Sequence, residues 1–425
     1  MSGFRIFAVL VIALLIAITT APIHGESPAT KPVASQDEIV LGMSTVLSGP
    51  AADLGLNMRA GVEAALNEAN RAGGIKGKKL RLIALDDGYE PTKTVPNMHK
   101  LVSDENVLAI IGNVGTPTAV AAIPIAMEAH VPFYGAFTGA GVLRKSPPDR
   151  YVINYRASYS EETAAMVDAL VEKAQLKPDE IAFFTQRDAY GDAGFAGGLA
   201  ALKRHGLKDE FAVAHVRYER NTVAVEKALS GLLLGSTQPK AVIMVGAYAP
   251  CATFIKLARQ SEFNPLFLNV SFVGSEPLAK ALSSDGEGVI VTQTVPHFES
   301  DLPMARQYRA ALRAFDPQLP ETFGSMEGYV STRLLLLALA KQTSPFITRE
   351  SIVESMESLG KVQIGLGADL ELSKTEHQAC HDIWPTVIRG GKVIRLRWDE
   401  LAPATAAPTG TQEQEGPAHA DSRGN

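Results

Sequence analysis

Small and hydroxyl residues that could hold an anion follow one apolar run of the chain. In IIGNVGTPTA, residues 110–119, the run ends in glycines, an asparagine and threonines and then continues in a helical pattern. Such a strand-to-helix turn leaves backbone N–H groups unpaired beside the positive end of the helix dipole. Phosphate, a dinucleotide and a carboxylate are therefore candidate ligands. Any strand-to-helix connection also uses glycine for its turn and threonine or asparagine for its cap, so this segment alone leaves both interpretations open.

Motifs for phosphate, nucleotide and hydrolytic chemistry are missing from the sequence. It has no G-x-x-x-x-G-K-[ST] phosphate loop, and neither GNVGTPT nor GAFTGAG (135–141) spells G-x-G-x-x-G. It also has no G-x-S-x-G nucleophile elbow and no H-E-x-x-H zinc motif. We therefore predict that the protein is not an enzyme and needs no cofactor.

Two other clusters suggest chemistry that their spacing does not support. HQACH, residues 377–381, contains two histidines and a cysteine, but no second cluster completes a metal site, so no metal is predicted. Asp86 and Asp87 are adjacent carboxylates after an apolar run. Because side-chain directions alternate along an extended chain, we expect the two to be separated, solvated loop residues rather than an acid/base pair.

The elements that must position these loops alternate regularly along the chain. The predicted strands cover 39–44, 80–85, 107–112, 131–135, 181–185, 211–216, 241–246, 266–270 and 288–293, and the predicted helices include 56–72, 119–129, 160–173 and 251–260. Continuous apolar strands separated by helices indicate parallel sheets buried on both faces. One sheet does not comfortably hold so many strands, so we predict an α/β fold with two doubly wound parallel-sheet lobes.

Sheets of this kind bind ligands outside the carboxyl ends of their strands. The corresponding loops are 44–55, 86–91, 112–118, 135–141, 186–194, 246–251 and 271–276. They combine small residues, hydroxyls and aromatic rings with little charge. This composition is typical of a binding pocket and not of a catalytic one.

Composition limits the function classes further. The chain has 425 residues, 46% of them hydrophobic and 20% charged, which is ordinary for a globular protein and enough for two domains. A net charge of −6 without a dense Lys/Arg stripe argues against nucleic-acid binding. Cys251 and Cys380 could form one disulfide in an oxidising compartment or remain free buried thiols.

The two ends of the chain differ from the rest. Arg5 is followed by an uninterrupted apolar run, 6–18, and then by small residues, which predicts a cleavable signal peptide over 1–25 and a linker over 26–36. The run is short for a membrane span, so an uncleaved anchor is the alternative and we expect no stable membrane insertion after cleavage. Residues 402–425 have hardly any large apolar side chains and are predicted to be a disordered tail.

A family resemblance rests on several segments in order. LSGPAADLGLNMRAGVEAALNEANRAGGIKGKKLRLIALDDGYEPTKTVPNMHKLV, residues 47–102, resembles the opening of type I periplasmic substrate-binding proteins of ABC importers, in the leucine/isoleucine/valine-binding branch. The similarity continues through AIIGNVGTPTA, VPFYGAFTGA, YGDAGFAGGLAALKRHG, VGAYAPCATFIKLAR and WPTVIRGGKVI. It covers nearly all of 39–401.

The resemblance implies an architecture and a function. Lobe one would comprise 37–154 and 294–378, and lobe two 155–293 and 379–401, joined by a three-crossing hinge. The protein would capture a small polar or aromatic solute between the lobes in the periplasm and deliver it to an ABC transporter permease and ATPase. The alternative is a ligand-sensing domain that reports to a membrane receptor.

The resemblance also assigns candidate ligand-binding residues. The ligand carboxylate would be held by hydroxyls and backbone N–H groups of two turns, at Thr116, Ala136, Phe137, Thr138 and Gly139. Two second-lobe aromatic residues, Tyr190 and Tyr248, would close over the ligand, although either could be a packing tyrosine. The remaining candidates for the apolar walls and rim are Tyr159, Ser271 and Phe272.

One position departs from the family pattern. Amino-acid binders carry a glutamate shortly after the strand that matches LFLNV, where this chain has Ser271 and Phe272, and the nearest acid is Glu276. An unpaired ligand ammonium in a closed cleft would cost several kcal/mol. A branched-chain amino acid, an uncharged or aromatic carboxylate and an amide therefore all remain candidate ligands.

Overall fold

The structure is a computed structural model that describes residues 38–235 and 238–402. Its strands are β1 (Glu38–Thr45), β2 (Lys79–Asp86), β3 (Ala109–Ile111), β4 (Phe133–Tyr134), β5 (Val152–Ile153), β6 (Ile181–Gln186), β7 (His215–Tyr218), β8 (Ala241–Val245), β9 (Leu266–Asn269), β10 (Ile290–Gln293), β11 (Gly360–Val362), β12 (Leu370–Leu372), β13 (Trp384–Arg389) and β14 (Lys392–Arg395). Its α-helices are α1 (Ala52–Arg71), α2 (Pro91–His99), α3 (Thr116–Glu128), α4 (Tyr159–Asp168), α5 (Ala189–Arg204), α6 (Glu226–Leu233), α7 (Tyr248–Gln260), α8 (Ser275–Leu282), α9 (Pro303–Phe315), α10 (Phe323–Lys341) and α11 (Arg349–Glu357). The predicted signal peptide, the linker and residues 403–425 of the predicted tail lie outside the described residues.

The first lobe is built on a five-stranded parallel sheet in the order β2-β1-β3-β4-β5. Helices α1 and α10 of this lobe pack closely against each other because each has a glycine at their contact. A Cβ on Gly61 would lie 1.8 Å from the Ser325 carbonyl oxygen, and one on Gly328 would lie 2.3 Å from that of Met58. This packing places the first turn of α10 beside the cleft.

The second lobe is built on a seven-stranded sheet in the order β14-β13-β10-β9-β8-β6-β7. Strands β6 to β10 are parallel, whereas β13 runs antiparallel to β10 and forms a hairpin with β14. Every residue of β6 and β8 is buried, as expected for strands covered by helices on both faces. The predicted α/β fold of two lobes on parallel sheets is confirmed. The residue boundaries of the lobes remain a prediction.

The chain passes between the two sheets at three places that lie side by side. The Ala379 N–H donates to the Asn154 carbonyl at 2.9 Å, and the Cys380 N–H donates to the Tyr155 carbonyl at 2.8 Å. The Tyr155 hydroxyl donates to the Thr294 carbonyl at 3.2 Å, which connects the crossing at Thr294 to the other two.

The predicted strand at 211–216 is wrong. Residues Glu210–Ala212 form a 3₁₀ turn, and β7 begins only at His215. The Asp209 side chain accepts the Phe211 N–H at 3.0 Å, and Phe211 is 91% exposed. The prediction fails because Phe211 is apolar but lies on a capped surface turn and not in a buried strand.

Both cysteines are buried free thiols and lie in different core clusters. The disulfide left open by the sequence is absent between these two described residues. Burial raises the pKa of the Cys251 thiol well above its usual range and that of Cys380 to about 12.

Within residues 38–235 and 238–402, no helix has the length and apolar character needed to span a bilayer.

Candidate functional site

Two turns at the carboxyl ends of β3 and β4 bring a pair of threonines together. Thr116 is the first residue of α3 and follows Gly115, whose φ of 101° few other residues adopt. The Thr116 and Thr138 hydroxyl oxygens lie 2.7 Å apart, and both side chains are buried. Because β3 and β4 are neighbouring parallel strands, both turns lie at the same edge of the first sheet.

Several backbone groups of the second turn are already engaged within the protein. The Phe137 N–H donates to the Asn113 carbonyl at 2.7 Å, and the Thr138 N–H donates to the Ala136 carbonyl at 2.8 Å. A Cβ on Gly139 would lie 2.6 Å from the Tyr159 nitrogen, so the close approach of these segments requires glycine. In this conformation, the N–H groups of Phe137 and Thr138 are therefore not free to bind a ligand.

Five buried aromatic side chains form a continuous cluster across the cleft. Phe272 is at its centre: ring centroids lie 5.5 Å away in Phe137, 4.6 Å in Tyr190 and 6.0 Å in Tyr89. Tyr159 extends the cluster at 5.1 Å from Tyr190. The structure thus brings together four of the predicted aromatic residues and adds Tyr89, which the sequence interpretation had not included.

Tyr248 lies apart from this cluster. It is the first residue of α7 and is half-buried against Asp53 of α1. Burial, together with the Asp53 carboxylate, raises the pKa of Tyr248 to about 12. Tyr248 therefore contacts Asp53 of the first lobe at the rim of the cleft. It is not part of the aromatic cluster around Phe272.

A fully buried arginine follows β5 at the first crossing between the lobes. The Arg156 guanidinium lies 4.7 Å from the centroid of the Phe137 ring, a cation–π distance. Its Nη2 donates to the Ser271 hydroxyl and lies 3.5 Å from a Glu162 oxygen. Its Nε lies 3.6 Å from a Glu327 oxygen. Among the described residues, Nη1 has no hydrogen-bond partner.

The two carboxylates beside Arg156 are held by other donors. Glu162 of α4 accepts the Ser271 N–H at 2.7 Å, the Ser271 hydroxyl at 2.9 Å and the Thr292 hydroxyl at 2.5 Å. Glu327 of α10 accepts the Thr294 hydroxyl at 2.7 Å. Burial raises the pKa of both carboxyls, and Arg156 partly offsets this. Burial is also the largest single influence on Arg156, but the opposing pull of the two acids leaves its pKa raised.

A second arginine positions the first. Arg144 donates through Nη1 to the Ala140 carbonyl at 3.0 Å and through Nη2 to the Arg156 carbonyl at 2.9 Å. Its Nε donates to the Gln378 side chain at 2.5 Å. Burial lowers the pKa of Arg144 to about 10, with a further contribution from Arg156. Arg144 therefore connects the second turn, the backbone of Arg156 and the last crossing.

The sequence has no acid directly after β9, but the fold brings one there from another part of the chain. Glu162 contacts Ser271 directly although 109 positions separate them in the chain. Glu276, the nearest acid in sequence, instead accepts the Phe323 N–H at the start of α10 at 3.1 Å. A search along the sequence could not find Glu162, because only the fold brings this side chain of α4 to Ser271 and to Thr292 of β10.

Contacts between the lobes close the cleft. The Gln186 amide donates to the Tyr89 hydroxyl at 3.1 Å. Glu90 accepts from Arg220 at 2.8 Å and from the Asn221 amide at 2.6 Å. The cavity beside Phe137 has a volume of only about 10 Å³, whereas small-molecule sites commonly have several hundred. A ligand of amino-acid size therefore requires the lobes to separate and the aromatic cluster to rearrange.

The adjacent carboxylates Asp86 and Asp87 are separated, as expected, but only Asp86 is solvent-exposed. The expectation that both are solvated is wrong for Asp87. It is fully buried and accepts the Ser44 hydroxyl at 2.9 Å and the Tyr89 N–H at 3.0 Å. These bonds help to hold Tyr89 at a φ of 63°, a backbone conformation that non-glycine residues rarely adopt, and so aim its ring at the cleft.

The histidines of HQACH have separate protein partners. His377 bonds to the Val152 carbonyl at 2.9 Å and lies 3.2 Å from a Glu357 oxygen. His381 lies 2.6 Å from a Glu161 oxygen. In the described part of the chain, no group of three or more His, Cys, Asp or Glu residues could hold a metal ion.

The sequence interpretation missed Arg156, although one signal pointed to it. This arginine follows β5 after Asn154 and Tyr155, near the strand end where parallel sheets place their ligands. A charged residue at such a position is either solvated or functional, and only its burial distinguishes the two. Glu162 gave no comparable signal, because an acid in the first turn of a helix is common.

The chain is similar to known periplasmic proteins over most of its length. A family model described as periplasmic binding protein matches residues 38–392. The crystal structure of a possible leucine/isoleucine/valine-binding protein from Rhodopirellula baltica SH 1 is 52% identical, with a TM-score of 0.84, and the match covers 88% of this chain and 99% of that one. The crystal structure of a substrate-binding periplasmic protein from Ralstonia solanacearum is 27% identical, with a TM-score of 0.78, and the match covers 84% of this chain and 100% of that one. The Leu/Ile/Val-binding protein homolog 7 from Brucella abortus (strain 2308) is 26% identical, and the match covers 85% of this chain and 88% of that protein.

Proposed function

Since this chain belongs to the periplasmic binding protein family, in its Leu/Ile/Val-binding branch, we propose that it captures a small solute between its two lobes and delivers it to an ABC importer. Members of this family are substrate-binding proteins and not enzymes. The ligand we propose is a branched-chain amino acid, a related or aromatic carboxylate, or an amide. The partners we propose are the permease and ATPase subunits of the importer.

The observation that carries this proposal is the convergence of donors and rings between the lobes. The paired hydroxyls of Thr116 and Thr138 lie at the end of the first sheet, and the Arg156 guanidinium lies over the adjacent Phe137 ring. Donors near apolar rings are what a small acid or amide needs for orientation and burial. All the predicted ligand-binding residues are retained as part of the proposal: Thr116, Ala136, Phe137, Thr138, Gly139, Tyr159, Tyr190, Tyr248, Ser271 and Phe272.

Capture would depend on closure of the lobes. A ligand that contacts both lobes favours the closed state only through contacts that the open state lacks. Glu90 with Arg220, and Tyr248 with Asp53, already join the lobes at the rim. The three adjacent crossings are the proposed hinge, with lobe boundaries at 37–154 and 294–378 for one lobe and 155–293 and 379–401 for the other.

The proposed location is the periplasm. Relatives in this family are periplasmic binding proteins. Export would use the predicted signal peptide at 1–25, so the working protein would be the cleaved chain, free of the membrane.

A thermal-shift screen of the mature protein against amino acids, amides and aromatic acids tests the proposal. A true ligand at 100 times its Kd should raise the free energy of unfolding by about 2.7 kcal/mol. Stabilisation by none of the three classes would contradict the proposed capture function.

A further inference from the structure

One buried cation in the cleft has more donors than partners. The Arg156 side chain is 0% exposed, yet its Nη1 has no hydrogen-bond partner among the described residues. Its Nε faces Glu327 at 3.6 Å, which is an ion-pair distance but too long for a hydrogen bond. Buried charged donors without an acceptor are costly and rare in folded proteins. The N–H groups of Nη1 are therefore free to bind an acceptor that the described residues do not supply.

The surroundings of the guanidinium place that acceptor in the cleft. Phe137, Ser271 and Glu327 all contact or face Arg156, and all three also line the cavity between the lobes. A planar guanidinium suits a carboxylate because two parallel N–H groups match its two oxygens.

The same cluster does not favour a ligand ammonium. Glu162 already accepts three hydrogen bonds from Ser271 and Thr292 besides facing Arg156. Glu327 has one oxygen on Thr294 and the other directed at the guanidinium. An ammonium bound to either acid would lie beside Arg156, and two like charges that close repel strongly in a buried site.

We propose that Arg156 anchors the ligand through its carboxylate and that the natural ligand is a monocarboxylate with an apolar or aromatic body and no α-ammonium group. The body would pack against the ring cluster around Phe272. This inference rests on the proposed capture function and narrows its ligand class. If it fails, the capture of another solute is not affected.

The first test compares matched ligands on the unaltered mature protein by calorimetry. The probes are 4-methylpentanoate against leucine, and 3-phenylpropanoate against phenylalanine, which differ only by the amino group. A fifth probe, 3-phenylpropanamide, keeps the shape but loses the charge. Each acid should bind at least about tenfold more tightly than its amino acid and than the amide. Tighter binding of leucine or phenylalanine, or an amide equal to its acid, would overturn the inference.

The second test changes the guanidinium. Arg156→Lys keeps a positive charge between the two carboxylates but loses the planar pair of donors, and should weaken binding of the acid about tenfold or more. The control is Arg349→Lys, because the Arg349 guanidinium donates to the carbonyls of Val102, Val107 and Ala129 and to the Asn106 side chain, away from the cleft. This control should leave the affinity unchanged.

The outcomes separate the two proposals. Tight leucine binding that Arg156→Lys does not alter would overturn the role of Arg156 and leave the capture function in place. If none of the five probes binds at millimolar concentration, the proposed ligand class is wrong, and the wider thermal-shift screen then judges capture itself. If Arg156→Lys fails to fold, the comparison of ligands on the unaltered protein still decides.

Discussion

The hydroxyls of Thr116 and Thr138 share one hydrogen bond of 2.7 Å although 22 positions separate the two residues. The pair links the helix that follows β3 to the turn that follows β4. A ligand oxygen that bonds to either hydroxyl would therefore change the hydrogen bonding of both turns. This relationship leads to the first prediction.

Replacing Thr116 by Val keeps the shape of the side chain but removes the shared hydrogen bond. We expect carboxylate binding to weaken by roughly 1.5–3 kcal/mol, because hydrogen bonds to charged groups are worth about that much. Calorimetry measures the change. The matched control is Thr332→Val, since that hydroxyl bonds only to the Gly328 carbonyl of its own helix, at 2.7 Å. Unaltered affinity in Thr116→Val would remove this turn from the binding site.

Glu90→Gln should loosen the closed state. It weakens the contact with Arg220 across the cleft, so the ligand should dissociate several-fold faster while its association rate changes little. Stopped-flow binding measures both rates. Glu321→Gln is the control, because Glu321 pairs with Arg313 within one lobe. Equal off-rates in both variants would show that the Glu90 pair does not contribute to closure.

Tyr248→Ala should also weaken binding, mainly through a higher off-rate, because the rim loses its contact with Asp53. Surface plasmon resonance with the ligand found in the screen would follow dissociation. A fall in the association rate alone would contradict a role for Tyr248 in holding the lobes closed.

Glu276 should make stability depend on pH in a definite direction. Burial raises its pKa in the folded protein to about 7, above the usual 4.5. The favourable contribution of the protonated form is complete below pH 4.5 and is lost as the pH rises through 7, by up to about 3 kcal/mol. Glu276→Gln should therefore stabilise the protein more at pH 8 than at pH 4.5.

Urea unfolding of Glu276→Gln and the unaltered protein at both pH values measures this difference, and an equal difference at the two pH values would contradict it. We expect ligand affinity to change little, because the Glu276 carboxylate is committed to the Phe323 N–H.

The two thiols should react only when the protein unfolds. Cys251 and Cys380 are free and fully or almost fully buried, so an alkylating reagent should label both in denaturant without a reductant and label neither in the native state. A requirement for reduction before labelling would demonstrate a disulfide and contradict the structure.

Mass spectrometry of the protein recovered from the periplasm should find an N-terminus between residues 22 and 35. The physical reason is the short apolar run at 6–18 followed by small residues. An intact Met1 on a membrane-bound product would contradict cleavage.

The sequence by itself determined most of the central strands and the place of the first turn. Uninterrupted apolar runs such as that of β8 specify strands buried on both faces, and local glycine and threonine residues specify the turn that contains Thr116. These features depend on residues close together in the chain. For this reason most strands, the two lobes and the sheet edge that carries the Thr116 turn could be predicted.

Only the tertiary structure decided which side chains meet in the cleft. Arg156, Glu162 and Glu327 come from a crossing, a helix of one lobe and a helix of the other, and no local pattern relates them. Likewise Asp87 is buried although its neighbour is exposed, and Tyr248 lies at the rim although its motif matched the family. The direction and burial of a side chain depend on the packing of elements that are distant in sequence, and here that packing put a guanidinium between two carboxylates in a cleft for which the sequence predicts little charge.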